Sequence, residues 1–522
     1  MVNSVFILAF LIFNKLLAQP YENISHLQSS TDVIKYHIKI EIYFEQRTIK
    51  ASNEITLIKS PFNKDFVEID FHDNLFIEQI SSKNLSLDYS RKDKKILIDV
   101  SAIKSDTVNF IINYSGKPKT LGFEGFTFFE FNNQKIVQTV NQPNYAPSWF
   151  PCDDDPADKA LLEIEITNDA DFVSVSNGFL FDKSEQNGRA TYHFKTVYPV
   201  ATNQIGIYSS DYLVKKENYF TTNGNKLDIE FYIFPKDSEK ALTDLSEIND
   251  YIKTFENLFG EYPFVGEKFS ISEIILTRGA IENQTMVGVG RDLFSGKKFH
   301  EEIFIHEVAH SWWGNCVGIS SWKDIWLSEG FATYSEALYF EHNFGKSALV
   351  SYLERYKYED LSGCLYEPKN LFSKTIYYKG AWVLHMIRNL LSDAVFFNFL
   401  KEYFSHYKYR TISTQEFENF LEEFSNRDFS KFFDDWVYND NGIINCSYNF
   451  DEIDKKLKLT QNGYIFSFSL EIKIIYQDST TEIFTVEVNS KEETFDFPSF
   501  NQIKEIIIDP DSKLLAKFQS VN

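Results

Sequence analysis

The chain has 522 residues, with 52 Lys+Arg against 75 Asp+Glu, a formal net charge of −23, and 17% aromatic residues. At roughly 100–200 residues per domain this length predicts about three to four domains, and the aromatic content excludes disorder for most of them. The acidic balance argues against nucleic acid as a partner, because such binding needs a basic face to displace phosphate counterions.

Val5 to Phe13 are nine uninterrupted apolar positions. That run is shorter than the roughly 20 residues needed to span a bilayer, and it fits the apolar core of a signal peptide. With Ala18 as the small residue before a cut at Gln19, residues 1–18 are expected to be removed. The mature chain is then secreted or periplasmic, with no transmembrane span. Sequons for N-glycosylation stand at Asn23, Asn84, Asn113, Asn283 and Asn445. Four scattered cysteines (Cys152, Cys316, Cys364 and Cys446) are too few for a disulfide framework and read as buried thiols.

From about Val33 to Tyr212 apolar and polar residues alternate, as in Ile34 to Ile42, and Asn, Asp, Ser and Gly clusters break the runs. This is the strand period. From Leu242 the spacing becomes helical through Leu245, Ile248, Ile252, Phe255 and Leu258, and helix-like segments dominate to about Tyr438. Strand patterns return at Leu457 to Leu459, Phe466 to Ile475, Ile483 to Val488 and Ile503 to Ile508. The expectation is an α+β multidomain chain: an N-terminal β domain over 19–212, a mainly helical domain over 213–445, and a small β-sandwich-like domain over 446–522.

The chemistry concentrates in the middle block. His306-Glu307-Val308-Ala309-His310 puts two imidazoles four residues apart. On a helix they share one face, with β-carbons about 5–6 Å apart, close enough to hold one metal ion. Taken alone, the pattern also fits two histidines stacked on a helix without a metal. A catalytic zinc needs a third ligand and an open position. Glu329, separated from His310 by eighteen intervening residues, can supply the ligand from a second helix. Cys316 is nearer in sequence but faces the wrong side if the first helix continues. Glu336 shares a helix face with Glu329. It is either a carboxylate that orients a ligand imidazole or an ordinary polar helix residue. With one zinc per chain held by His306, His310 and Glu329, Glu307 is free to act as general base in hydrolysis of an amide or related acyl bond.

These residues resemble the zinc aminopeptidase family of the gluzincin clan, which includes aminopeptidase N and the leukotriene hydrolase. Gly279-Ala280-Ile281-Glu282-Asn283 resembles its exopeptidase motif, with Ile281 in place of the usual Met. Ile376 to Ala381 resembles the catalytic-tyrosine segment, and Tyr377 stands three residues before Gly380. Gln142 precedes Trp149 to Asp153 at the spacing of the family's amine-binding residue. The resemblance implies a thermolysin-like (gluzincin) catalytic domain acting on peptides with a free N-terminus. Glu282 and Gln142 would hold the α-ammonium, with Gly279, Ala280 and Asn283 lining the substrate. Tyr377 would donate to the oxyanion.

The family commonly adds a large C-terminal helical domain, whereas here a short β segment follows the helical block. A short three-domain form lacking that domain, with a more open site, is therefore expected. Two other readings compete. A zinc endopeptidase with the same metal triad has no use for a fixed charge at Glu282. A non-catalytic peptide-binding relative should have lost ligands or Glu307.

Overall fold

The computed structural model describes residues 28–521 apart from 123, 132, 358–359, 452 and 498–501. The signal-peptide reading and the Asn23 sequon lie outside the described residues.

Asp32–Tyr43 (β1), Thr48–Ile58 (β2), Lys159–Asp169 (β3) and Arg189–Lys195 (β4) belong to a nine-stranded sheet. β1 lies between β2, antiparallel to it, and β3, parallel to it, while β4 runs antiparallel on the far side of β3. The alternation works as a strand period should. Tyr36, Ile38, Ile40 and Ile42 are buried, while His37, Lys39 and Glu41 turn to the other face. A register shift between Val33 and Lys35 breaks the phase and leaves Ile34 exposed, against the simple alternation expected from the sequence.

A five-stranded sheet pairs Gln134–Val140 with Ile207–Ser210. Another contains Lys226–Ile233 (β5), Phe269–Ile274 (β6), Ala280–Ile281 (β7) and Val287–Gly290 (β8), with β7 at its edge. Helical spacing alone leaves out β6 and β8. Every residue of both strands is buried, so no alternation marks them. Ile248–Phe259 (α1) sits between β5 and β6 in the chain and buries Ile248, Ile252 and Phe255 of the face read from the sequence, with Phe259 buried at its end where Leu258 was expected. Glu301–Ala309 (α2) follows β8 and packs against α1 and β7.

Contacts divide the chain into two compact units: residues up to 322 with 406–412, and 323–405 with 413–522. In the second, Trp326–Phe344 (α3) packs against Lys346–Glu354 (α4) and Gly380–Leu391 (α5). The C-terminal part is β-rich, with one four-stranded and one three-stranded sheet. Its strands bury alternate residues such as Leu457 and Leu459, or Leu470, Ile472 and Ile474. The order of β, helical and β-rich parts is the one expected. All four cysteines are free thiols. No helix among the described residues is long and apolar enough to cross a membrane.

Candidate active site

Phe304, Ile305, Val308 and Ala309 are buried and anchor α2. His306 and His310 then stand one turn apart, with ring centroids 4.6 Å from each other and planes at 80°. His310 Nδ1 lies 3.0 Å from the Trp313 carbonyl oxygen. Donation of the Nδ1 proton to that carbonyl leaves Nε2 as the ligand atom. The chain turns back directly after the helix, with the Asn315 N–H donating to His310 O at 3.0 Å. Glu329 lies in the first turn of α3. One donor atom each from His306, His310 and Glu329 falls within 4.8 Å of the others. Two imidazoles and a carboxylate form a donor set that suits zinc. Cys316 is not in this group; burial pushes its thiol up to about 11.

Glu307 is buried on α2, beside the edge strand that carries the second motif. Ala280 and Ile281 pair with Val289 and Gly288. Gln142 Nε2 donates to Glu282 Oε1 at 2.5 Å, joining residues 140 apart in the chain. Asn283 Nδ2 donates to the Tyr208 hydroxyl at 3.0 Å. Tyr208 is fully buried, and burial, then the negative charges of Glu282 and Glu307, push its phenol well above the ordinary range. One hydroxyl therefore lies near both carboxylates. A tyrosine in a strand carries no local signal of this, so sequence reasoning missed it. A Cβ at Gly288 would fall 2.3 Å from that hydroxyl oxygen, so the tyrosine seat requires glycine there. The tight glycine of the motif's turn is Gly290, where a Cβ would meet Leu276 O at 2.1 Å. Gly279 is looser, its nearest neighbour being the Leu276 side chain at 3.1 Å, and its carbonyl accepts from Gly290 N–H.

Tyr377 lies in Thr375–Lys379, one turn of π-helix leading into α5. Lys379 Nζ fastens this turn by donating to Gly363 O at 2.9 Å and Asn441 O at 2.5 Å. Tyr378 stacks on Tyr356 with ring centroids 3.7 Å apart, so it is committed to packing. Glu336 is buried on α3 and accepts a hydrogen bond from the Tyr352 hydroxyl.

The Peptidase M1 N-terminal domain matches residues 32–203, and the Peptidase family M1 domain matches residues 245–436. The chain belongs to peptidase family M1. Its M1 domain contains Glu282, His306, Glu307, His310, Glu329 and Tyr377, whereas Gln142 comes from the M1 N-terminal domain. M1 peptidases are in general zinc-dependent. The chain is 25% identical over 476 residues to "Probable aminopeptidase 2" of Sulfurisphaera tokodaii, covering 85% of this chain and 59% of that protein. It is also 25% identical over 359 residues to leucine aminopeptidase 2 of Aspergillus fumigatus, covering 63% and 56%. The chain thus spans between half and two thirds of the length of these curated relatives. The fold matches that of aminopeptidase A of Legionella pneumophila, solved in complex with aspartic acid. The TM-score is 0.82 at 17% identity, over 97% of this chain and 61% of that one.

Proposed function

We propose that the chain is a zinc-dependent aminopeptidase that removes residues from the free N-terminus of peptides. The observation that carries this reading is the buried Gln142–Glu282 pair beside the helix of Glu307. Glu282 offers a fixed negative charge to an α-ammonium. Gln142 spends its N–H on Glu282, which leaves its amide oxygen to accept from the same ammonium. The edge strand formed by Ala280 and Ile281, flanked by Gly279 and Asn283, offers an extended peptide a partner for strand addition.

His306, His310 and Glu329 would hold the zinc. When bound, the ion supplies the Lewis acidity that makes water nucleophilic near neutral pH. Glu307 takes the proton from the attacking water and passes it to the leaving nitrogen. Tyr377 donates its phenolic hydrogen to the oxyanion that develops on the scissile carbonyl. Ile281 lies beside Glu282 in place of the family's usual Met and would shape side-chain preference.

Hydrolysis of aminoacyl-arylamides, each paired with its N-acetylated form, tests the assignment. Chelator-sensitive cleavage of the free-amine members alone is expected. Equal cleavage of acetylated substrates would remove the ammonium anchor and favour endopeptidase chemistry. We also propose export, on the strength of Val5 to Phe13 and Ala18. N-terminal sequencing of the mature protein should then begin at Gln19, and a retained Met1 would refute it.

A further inference from the structure

A second group of metal-binding side chains lies on the polar face of the nine-stranded sheet, unrelated to any sequence motif. The register sets His37 of β1 opposite Glu163 of β3, and His193 of β4 opposite Glu165. Ile38, Ile164, Ile166, Tyr192 and Phe194 turn to the core, so these four polar side chains share the opposite face. The two imidazoles lean across β3 and lie nearly parallel, with centroids 6.3 Å apart and planes at 10°. His37 Nε2 is 3.0 Å from Glu165 Oε1, and His193 Nε2 is 2.8 Å from Glu163 Oε1. Donor atoms of His37, Glu165 and His193 all lie within 4.8 Å of one another.

We propose that this face binds a divalent late first-row metal ion (Zn2+, Ni2+ or Cu2+) through His37, His193 and Glu165. Ligands about 2.0–2.2 Å from a tetrahedral ion stand roughly 3–3.5 Å apart. The His37–Glu165 separation already meets this, and small side-chain rotations close the rest. Two imidazoles beside a carboxylate select borderline ions over Mg2+ or Ca2+, which prefer oxygen ligands throughout. The ion clips β1, β3 and β4 together on the side where no core packing holds them.

The competitor is lysine. Lys39 Nζ lies 3.0 Å from Glu165, and Lys35 and Lys195 lie 2.6 and 3.2 Å from Glu163. Lys39 is 55% exposed and can release Glu165 into water, where such pairs contribute little. The ion takes Glu165 from Lys39 and replaces the hydrogen bonds between the imidazoles and the carboxylates, while Glu163 stays with its lysines.

Equilibrium dialysis of the full chain against Zn2+, with bound metal counted by mass spectrometry, tests the site. Two ions per parent chain are expected, with one in the His37→Gln/His193→Gln variant and one in the His306→Ala/His310→Ala variant. The sheet variant should retain arylamide hydrolysis, which confirms that it is folded. Cu2+ added to the His306→Ala/His310→Ala protein should give nitrogen hyperfine coupling that disappears when His37→Gln is added. A parent that binds a single ion, or a sheet variant that binds as many as the parent, would overturn the proposal. Neither result touches the aminopeptidase assignment, which is read from substrate cleavage.

Discussion

His306 and His310 stand one helical turn apart on an anchored helix, whereas His37 and His193 approach each other from two strands with a third between them. In the first group proximity is local and follows from four residues of helix. In the second it depends on the pairing of strands that begin more than a hundred residues apart. The two regions also treat charge differently. The sheet face holds Lys35, Lys39 and Lys195 on the carboxylates of Glu163 and Glu165. Near Tyr377 the structure instead buries the Lys379 ammonium on two backbone carbonyls. A surface that pairs its charges in water can trade partners easily, while a buried group fixed by the backbone cannot.

The largest expected difference between the regions is catalytic. Glu307→Gln keeps the shape of α2 but removes the group that accepts a proton. Turnover should fall by about a hundred- to ten-thousandfold, with bound zinc unchanged in elemental analysis. Retained turnover would end its role as base. No substitution at Glu163 or Glu165 should approach that effect. Tyr377→Phe comes next, with kcat lower by about a hundred- to thousandfold and KM little altered. A change mainly in KM would move the tyrosine from the oxyanion to ground-state binding.

These two effects lie at residues the sequence singles out, Tyr377 through the resemblance of its segment to the family's and Glu307 through helix geometry. A helix places residues four apart on one face, so the pattern of His306 and His310 could be read without the fold. Alternation likewise exposed β1, because one face of that strand meets water. The wholly buried β6 and β8 gave no period to read. Tyr208 stands near the Glu282 and Glu307 carboxylates only because Gly288 leaves room for its hydroxyl between strands distant in the chain. The His37–Glu165–His193 group was hidden for the same reason, since nothing in the sequence states which strands are neighbours. The Gly279 motif was legible as a pattern, yet it is Gly290 whose backbone meets Leu276.

Lys379 tests the electrostatic half of the comparison. Burial draws its pKa down to about 8 from 10.5. The folded chain then disfavours the charged form by about 3 kcal/mol at pH values below 8. Between pH 8 and 10.5 the unfolded chain keeps this proton while the folded chain releases it, so stability from this group rises with pH. Lys379→Met should remove that rise, read as the difference between the two proteins in denaturant midpoints across the window. Identical slopes would assign the titration to another group.

The smallest effect tests how the helical region sets its spacing. On the sheet, ladder hydrogen bonds fix the distance between strands whatever the side chains are. Between α3 and α5 the distance depends on side-chain size, and here it depends on two glycines. A Cβ built on Gly330 falls 2.9 Å from the Gly380 Cα, backbone that cannot swing aside. Gly330 follows Glu329 directly, and Gly380 ends the turn that holds Tyr377, so this crossing sets the proposed ligand against the proposed oxyanion donor. Gly330→Ala gains helix propensity but forces the helices apart, for a net loss of about 1–3 kcal/mol. A lower melting temperature together with a lower kcat is expected, because the displacement reaches both residues. If melting falls while kcat holds, the crossing supports the fold without setting the site. If neither changes, the helices are not held at this distance.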